Sequence, residues 1–161
     1  MSLFSDGGER LISLGLPDRE EASRRWLKRK YGTDVTTEGE IAAARPLCDY
    51  FAGNLQAIYQ VKWTAVGTPF QLQVWNALYK IPLGSTTTYA RIAAQIGRPA
   101  AVRAVGAANG SNPIAVVVPC HRVIGTDGSL TGFGGGLPLK IQLLRHEGVR
   151  LPAYDTPLLF D

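Results

Sequence analysis

Two short helical segments separated by a three-residue turn constrain this chain more than any other feature. Thr88-Tyr-Ala-Arg-Ile-Ala-Ala-Gln-Ile96 and Ala100-Ala-Val-Arg-Ala-Val-Gly-Ala-Ala-Asn109 flank Gly97-Arg98-Pro99. A connection this tight predicts a helix-turn-helix. Such hairpins occur as plain packing units as well as nucleic-acid readers. The second helix is built from Ala, Val and Gly, with Arg103 as its only charge. Small side chains let a helix backbone lie very close to a partner, and core packing also selects them.

Upstream, Val66-Gly67-Thr68-Pro69 reads as a linker, with Thr68 capping and Pro69 opening a helix over Phe70–Tyr79. Its apolar residues at 70, 74, 75 and 78 form one face. Nearer the N-terminus, Asp6-Gly7-Gly8 predicts a hairpin turn leading into a strand over Arg10–Leu16 that Pro17 stops. Asp18 is placed to cap a helix running to about Tyr31, with Trp26 and Leu27 facing inward. Glu20 and Glu21 at its start and Lys28, Arg29 and Lys30 at its end match the helix dipole. A second helix is expected from about Glu38 to Phe51, ending at Gly53, followed by a short strand over Ala57–Trp63. This half reads as a small α/β unit without chemistry, in which Cys48 is an ordinary buried thiol.

The 161 residues suffice for one domain or two small ones, and 45% hydrophobic residues suffice for a packed core. Two cysteines give no disulfide framework, and no Cys/His spacing resembles a zinc site, so no metal and no cofactor are expected. No stretch approaches the roughly 20 apolar residues of a membrane span, and the N-terminus lacks a secretion signal. A reducing cytoplasm, or a nucleus, is the expected location. Residues 1–68 carry nine basic and nine acidic side chains. Residues 69–150 carry eight basic side chains against Asp127 and Glu147 alone. A basic half beside a neutral one suits phosphate binding, although a solvated surface produces the same imbalance.

The chemistry-bearing residues lie beyond the hairpin. Ile114-Ala-Val-Val-Val118 predicts a short buried strand that Pro119 ends, with Cys120 next, then His121 and Arg122. Either neighbour could favour a thiolate. In an extended chain adjacent side chains point to opposite faces, so His121 reaches Cys120 only if the backbone turns sharply at Pro119. Taken alone, the Cys-His pair fits a structural cysteine at least as well. Six glycines between Gly125 and Gly136 then allow backbone to approach a ligand closely, without the spacing of a phosphate loop. A last helix over Leu139–Glu147 ends at Gly148. Glu147 sits at its negative end, where a carboxylate needs a His or Arg partner.

The segment resembles the O6-alkylguanine-DNA alkyltransferases, or methylated-DNA-protein-cysteine methyltransferases. Pro119-Cys-His-Arg-Val123 carries the signature. The similarity runs from about Gly67 to Gly148 through Thr68–Trp75, Tyr89, Arg103-Ala-Val-Gly106, Asn112-Pro113 and Arg145-His-Glu-Gly148. It implies an α+β fold, with a small N-terminal α/β domain over 1–66, a winged helix-turn-helix catalytic domain over 67–150 and a tail over 151–161.

The resemblance further implies single-turnover repair of O6-alkylguanine, and of O4-alkylthymine, in double-stranded DNA bound through its minor groove by a monomer. Cys120 would be the acceptor, His121 its base through a water, and Glu147 the carboxylate orienting His121. Arg103 would fill the stack behind the flipped nucleotide, a step costing a few kcal/mol. Tyr89 would turn the target phosphate and donate to the base, with Ala101 and Asn109 also on the DNA side. Tyr89, Val123, Phe133, Gly134 and Gly135 would line the pocket, and Asn112 would fix the hinge before the cysteine. Family members usually open with a longer strand pair, which leaves Leu3-Phe4 here as a stub. An ordinary helix-turn-helix repressor would carry more polar base-reading side chains than Arg103 and Asn109. A cysteine hydrolase would turn over repeatedly.

Overall fold

The computed structural model describes residues 1–7, 9–16, 20–32, 39–151 and 154. The expected caps at Pro17 and Asp18, residues 33–38 and most of the 151–161 tail lie outside them. The chain opens with strands β1 (Ser2–Ser5) and β2 (Leu11–Gly15), paired antiparallel with Leu3 opposite Leu14. The stub expected at Leu3-Phe4 is thus part of a hairpin. Helix α1 (Glu20–Tyr31) follows, its exposed face carrying Arg24–Glu20 and Arg25–Glu21 pairs.

Helix α2 spans Ala44–Phe51, six residues shorter at its start than its expected range. Pro46 explains the difference: within a longer helix it would lack an N–H and clash with the preceding turn, whereas in the first turn neither matters. The inward face of α2 is Leu47 and Tyr50, with Ala43 just before it. Cys48 points the other way and is exposed, contrary to expectation. The strand expected over Ala57–Trp63 is instead a 3-10 helix over Leu55–Gln60. Ala57 and Ile58 are buried side by side, a pattern a one-faced strand does not give. Only the end of the segment is sheet-like, where Leu11 bridges Trp63.

Helix α3 (Pro69–Tyr79) begins as its sequence dictates. Thr68 Oγ1 accepts from Gln71 N and Gln71 Oε1 accepts from Thr68 N, a reciprocal cap. Strand β3 (Thr87–Thr88), α4 (Tyr89–Gln95) and α5 (Val102–Gly110) complete the expected hairpin. Gly97 provides its left-handed turn with φ +72°. Strand β4 (Val123–Ile124) pairs in parallel with β3, and α6 (Gly136–His146) closes the described fold, ending at Glu147 and Gly148. The architecture is α+β.

One buried cluster joins both halves of the chain. It contains Leu11, Leu14, Leu47, Tyr50 and Ile58 together with Val74, Trp75, Leu78, Val105, Ile114 and Cys120. Trp75 Nε1 donates to Ala108 O at 2.9 Å, locking α3 to α5. The Trp75 ring leaves no room for a Cβ at Gly67, whose place would lie 2.6 Å from it. Among the described residues no helix is long and apolar enough to cross a membrane.

Candidate active site

The segment leading to Cys120 is not the strand its five apolar residues predict. Ile114 alone makes a bridge, to Leu14, and Val118 N then donates back to Ile114 O, closing a turn. Asn112 imposes it: Nδ2 donates to Val118 O at 2.7 Å, while Oδ1 accepts from Ile114 N at 3.0 Å. Within this clamp Val116 is held at φ +75°, a conformation strained for a β-branched residue. The chain turns at Pro119, and Cys120–Arg122 form one turn of 3-10 helix. The sharp bend that His121 requires is therefore present.

Cys120, His121, Arg122 and Glu147 are all buried. His121 Nε2 lies 3.1 Å from Glu147 Oε1. Arg122 grips the same carboxylate as a fork, Nε to Oε2 at 2.7 Å and Nη2 to Oε1 at 2.7 Å, and its Nη1 donates to Ile81 O. Tyr50 Oη also donates to Oε1, at 2.7 Å. Glu147 thus has the partners its helix-end position demanded. Burial raises its pKa, but the hydrogen bonds from His121 and Arg122 outweigh that and hold it near about 2. Burial pushes the His121 imidazole below its usual range, against the pull of Glu147. Burial likewise raises the Cys120 thiol, opposed by the Asn112 side chain and the Lys140 charge.

Arg122, Tyr50 and Lys140 were not singled out as site residues from the sequence. Arg122 looked like a partner of the thiol and is instead the partner of Glu147. Lys140 counted toward a basic surface, but it is buried and its Nζ donates to Val123 O and Thr131 O. Burial lowers its pKa to about 8. The surface charge of this half therefore comes from Lys80, Arg91, Arg98, Arg103 and Arg150, all exposed.

A cavity of about 330 Å³ opens beside Cys120, lined by Phe133 and Gly134 and by β2 and α1. Of the remaining expected pocket residues, Tyr89, Val123 and Gly135 lie outside its wall. Tyr89 accepts from Thr131 Oγ1 at 3.0 Å. Val123 is fully buried. A Cβ at Gly135 would lie 2.6 Å from a Leu139 methyl and 2.9 Å from a Leu16 methyl, so those side chains would have to shift to admit it. Arg103 is exposed on α5, with Ala101 half-buried at its start. Asn109 is not on that outer face: it is 4% exposed and lines the cavity. No cluster of three metal-binding side chains occurs among the described residues.

Residues 69–149 match the family described as "6-O-methylguanine DNA methyltransferase, DNA binding domain". The chain belongs to this family. It is 60% identical over 105 residues to a methylated-DNA–protein-cysteine methyltransferase of Salmonella typhimurium, covering 65% of this chain and 61% of that one. The chain thus spans about three fifths of that curated relative. The crystal structure of a Mycobacterium tuberculosis O6-methylguanine methyltransferase is similar with TM-score 0.72 and 45% identity, over 91% of this chain and 85% of that one. The structure of M. tuberculosis OGT in complex with DNA is similar with TM-score 0.70 and 41% identity, over 90% and 84%. The matched residues include Cys120, His121 and Glu147.

Proposed function

We propose that the chain repairs DNA by direct reversal, moving an alkyl group from O6 of guanine, or O4 of thymine, irreversibly onto Cys120. The observation that carries this reading is a buried thiol at a cavity wall, on the same helical turn as a histidine bound to a buried carboxylate. Glu147 accepts from His121 Nε2–H, which leaves Nδ1 as the basic nitrogen. Nδ1 is buried and has no hydrogen-bond partner among the described residues. Through one water it takes the thiol proton, a necessary service because burial disfavours the thiolate.

Sγ then attacks the alkyl carbon, the carbon–O6 bond breaks with its electron pair on the base, and the proton returns to guanine. The product thioether resists hydrolysis, so each molecule acts once. Exposed Arg103 fills the stack left by the flipped nucleotide in a duplex approached from its minor groove by a monomer. Tyr89 steers the target phosphate and base, Ala101 meets the backbone, and Asn112 fixes the hinge. Phe133 and Gly134 line the pocket beside Cys120. The work takes place in the cytoplasm, or in a nucleus.

The test is incubation with a duplex containing O6-methylguanine, followed by peptide mass spectrometry. One methyl on the Cys120 peptide, absent in Cys120→Ser, is expected. Restored guanine with unmodified protein would overturn the proposal.

A further inference from the structure

Thr131 is exposed, yet its backbone is pinned. It lies in the glycine-rich connection between β4 and α6. Lys140, 0% exposed, donates from Nζ to Thr131 O at 2.9 Å and to Val123 O at 2.7 Å. A buried ammonium has to keep its acceptors, so these two carbonyls are held together. The preceding residue is anchored as well: Leu130 is buried, and its N donates to Tyr154 Oη at 3.1 Å. From this fixed backbone Thr131 Oγ1 donates to Tyr89 Oη at 3.0 Å, across 42 positions of sequence.

A tyrosine hydroxyl carries one proton and accepts through its lone pairs. Thr131 occupies an accepting direction, so the Tyr89 proton is turned toward the others. A hydroxyl that accepts a hydrogen bond also donates more strongly. The ring is seated too. A Cβ added at Gly106 would stand 3.9 Å from it, so Tyr89 packs against α5, the helix that carries Arg103. Tyr89 is therefore held at its ring by α5 and at its oxygen by Thr131. When the carbon–O6 bond breaks, its electron pair lands on the base, and a donor to the base stabilises that charge in the transition state.

We propose that Thr131 is a positioning residue for alkyl transfer, committing the Tyr89 hydroxyl to donate to the flipped base. The inference rests on the reading of Tyr89 as that donor and of Cys120 as the alkyl acceptor. Thr131 acts through Tyr89, and the bonds made and broken in the reaction are unchanged. A threonine that only solvates the connection would leave the rate alone. Loss of a positioning hydroxyl slows the chemical step and leaves duplex affinity as it was.

The experiment measures single-turnover transfer from an O6-methylguanine duplex to the Cys120 peptide over a range of protein concentrations, separating the maximal rate from the half-saturating concentration. Thr131→Val keeps the shape without the donor. It is expected to lower the maximal rate about three- to tenfold, the worth of one charge-neutral hydrogen bond, at an unchanged half-saturating concentration. Thr131→Ser, which keeps the donor, recovers most of that loss. In a Tyr89→Phe background no phenolic oxygen remains to be oriented, and Thr131→Val changes the rate by less than about twofold. A Thr131→Val rate within about twofold of wild type, Thr131→Ser as slow as Thr131→Val, or the full Thr131→Val loss kept in the Tyr89→Phe background would overturn the proposal. Wild-type protein that takes up no methyl, or Tyr89→Phe transferring at the wild-type rate, would instead remove the reading it rests on.

Discussion

Tyr50 Oη donates to Glu147 Oε1 at 2.7 Å, the same oxygen that faces His121 Nε2 at 3.1 Å. Tyr50 belongs to α2 and Glu147 ends α6, so the N-terminal half holds one corner of the candidate site. Tyr50 competes with His121 for the same lone pairs. The carboxylate's grip on the imidazole is therefore set partly by a residue 97 positions away.

Tyr50→Phe removes that competitor. Glu147 then attracts the His121 proton more strongly, so the acid limb of the transfer rate moves to higher pH. Stability in urea drops by about 1.5–3 kcal/mol, the range for a hydrogen bond to a charged group. A loss of stability with an unmoved acid limb would show that Tyr50 only packs.

Glu147→Gln tests the orienting role directly. The amide no longer selects the tautomer with a free Nδ1, and transfer to Cys120 is expected to fall about 10²-fold or more, the lower end of general-base effects. Binding to undamaged duplex is expected to stay near the wild-type level. Transfer within a few-fold of wild type would remove Glu147 from the mechanism.

Acid should destabilise the fold in two stages of one sign. His121 is held below its usual pKa of 6.5, so its neutral form contributes stability present above that value and lost as pH falls below it. Glu147, with a folded pKa of about 2 against 4.5, contributes stability present above 4.5 and lost as pH falls toward 2. Urea midpoints should decline from pH 7 through 5.5 to 4, and His121→Gln should flatten the first part. A midpoint constant over this range contradicts the buried network.

Helices α3, α4 and α5 were legible because their signals are local. Thr68 and Pro69 start one, Thr88 caps the next, and Gly97 makes the turn between. The candidate trio Cys120, His121 and Glu147 was legible through motif resemblance, and Glu147 also through its electrostatic misfit at a helix end. Ile114–Val118 misled because five apolar residues fit a buried strand equally well. The side chain of Asn112, outside the run, closes it into a turn. Arg122 and Tyr50 gave no local sign of their partner, which lies 25 and 97 residues away. Asn109 looked like a DNA contact because helix periodicity does not say which end of a face is covered by another element.

Arg103 separates extraction of the nucleotide from chemistry. It is exposed on α5. Arg103→Ala should keep slow reaction with free O6-benzylguanine while losing most activity on duplex DNA. Equal losses on both substrates would contradict a role in flipping.

The central claim is that Cys120 is a one-use acceptor, and the stoichiometry of transfer tests it most directly. Protein at fixed concentration is mixed with a many-fold excess of duplex bearing radiolabelled O6-methylguanine, and protein-bound label is followed to its plateau. One methyl per molecule, all on Cys120, with no further repair after the plateau, is the predicted result. Repair continuing beyond one equivalent, or label plateauing equally in Cys120→Ser, would contradict it.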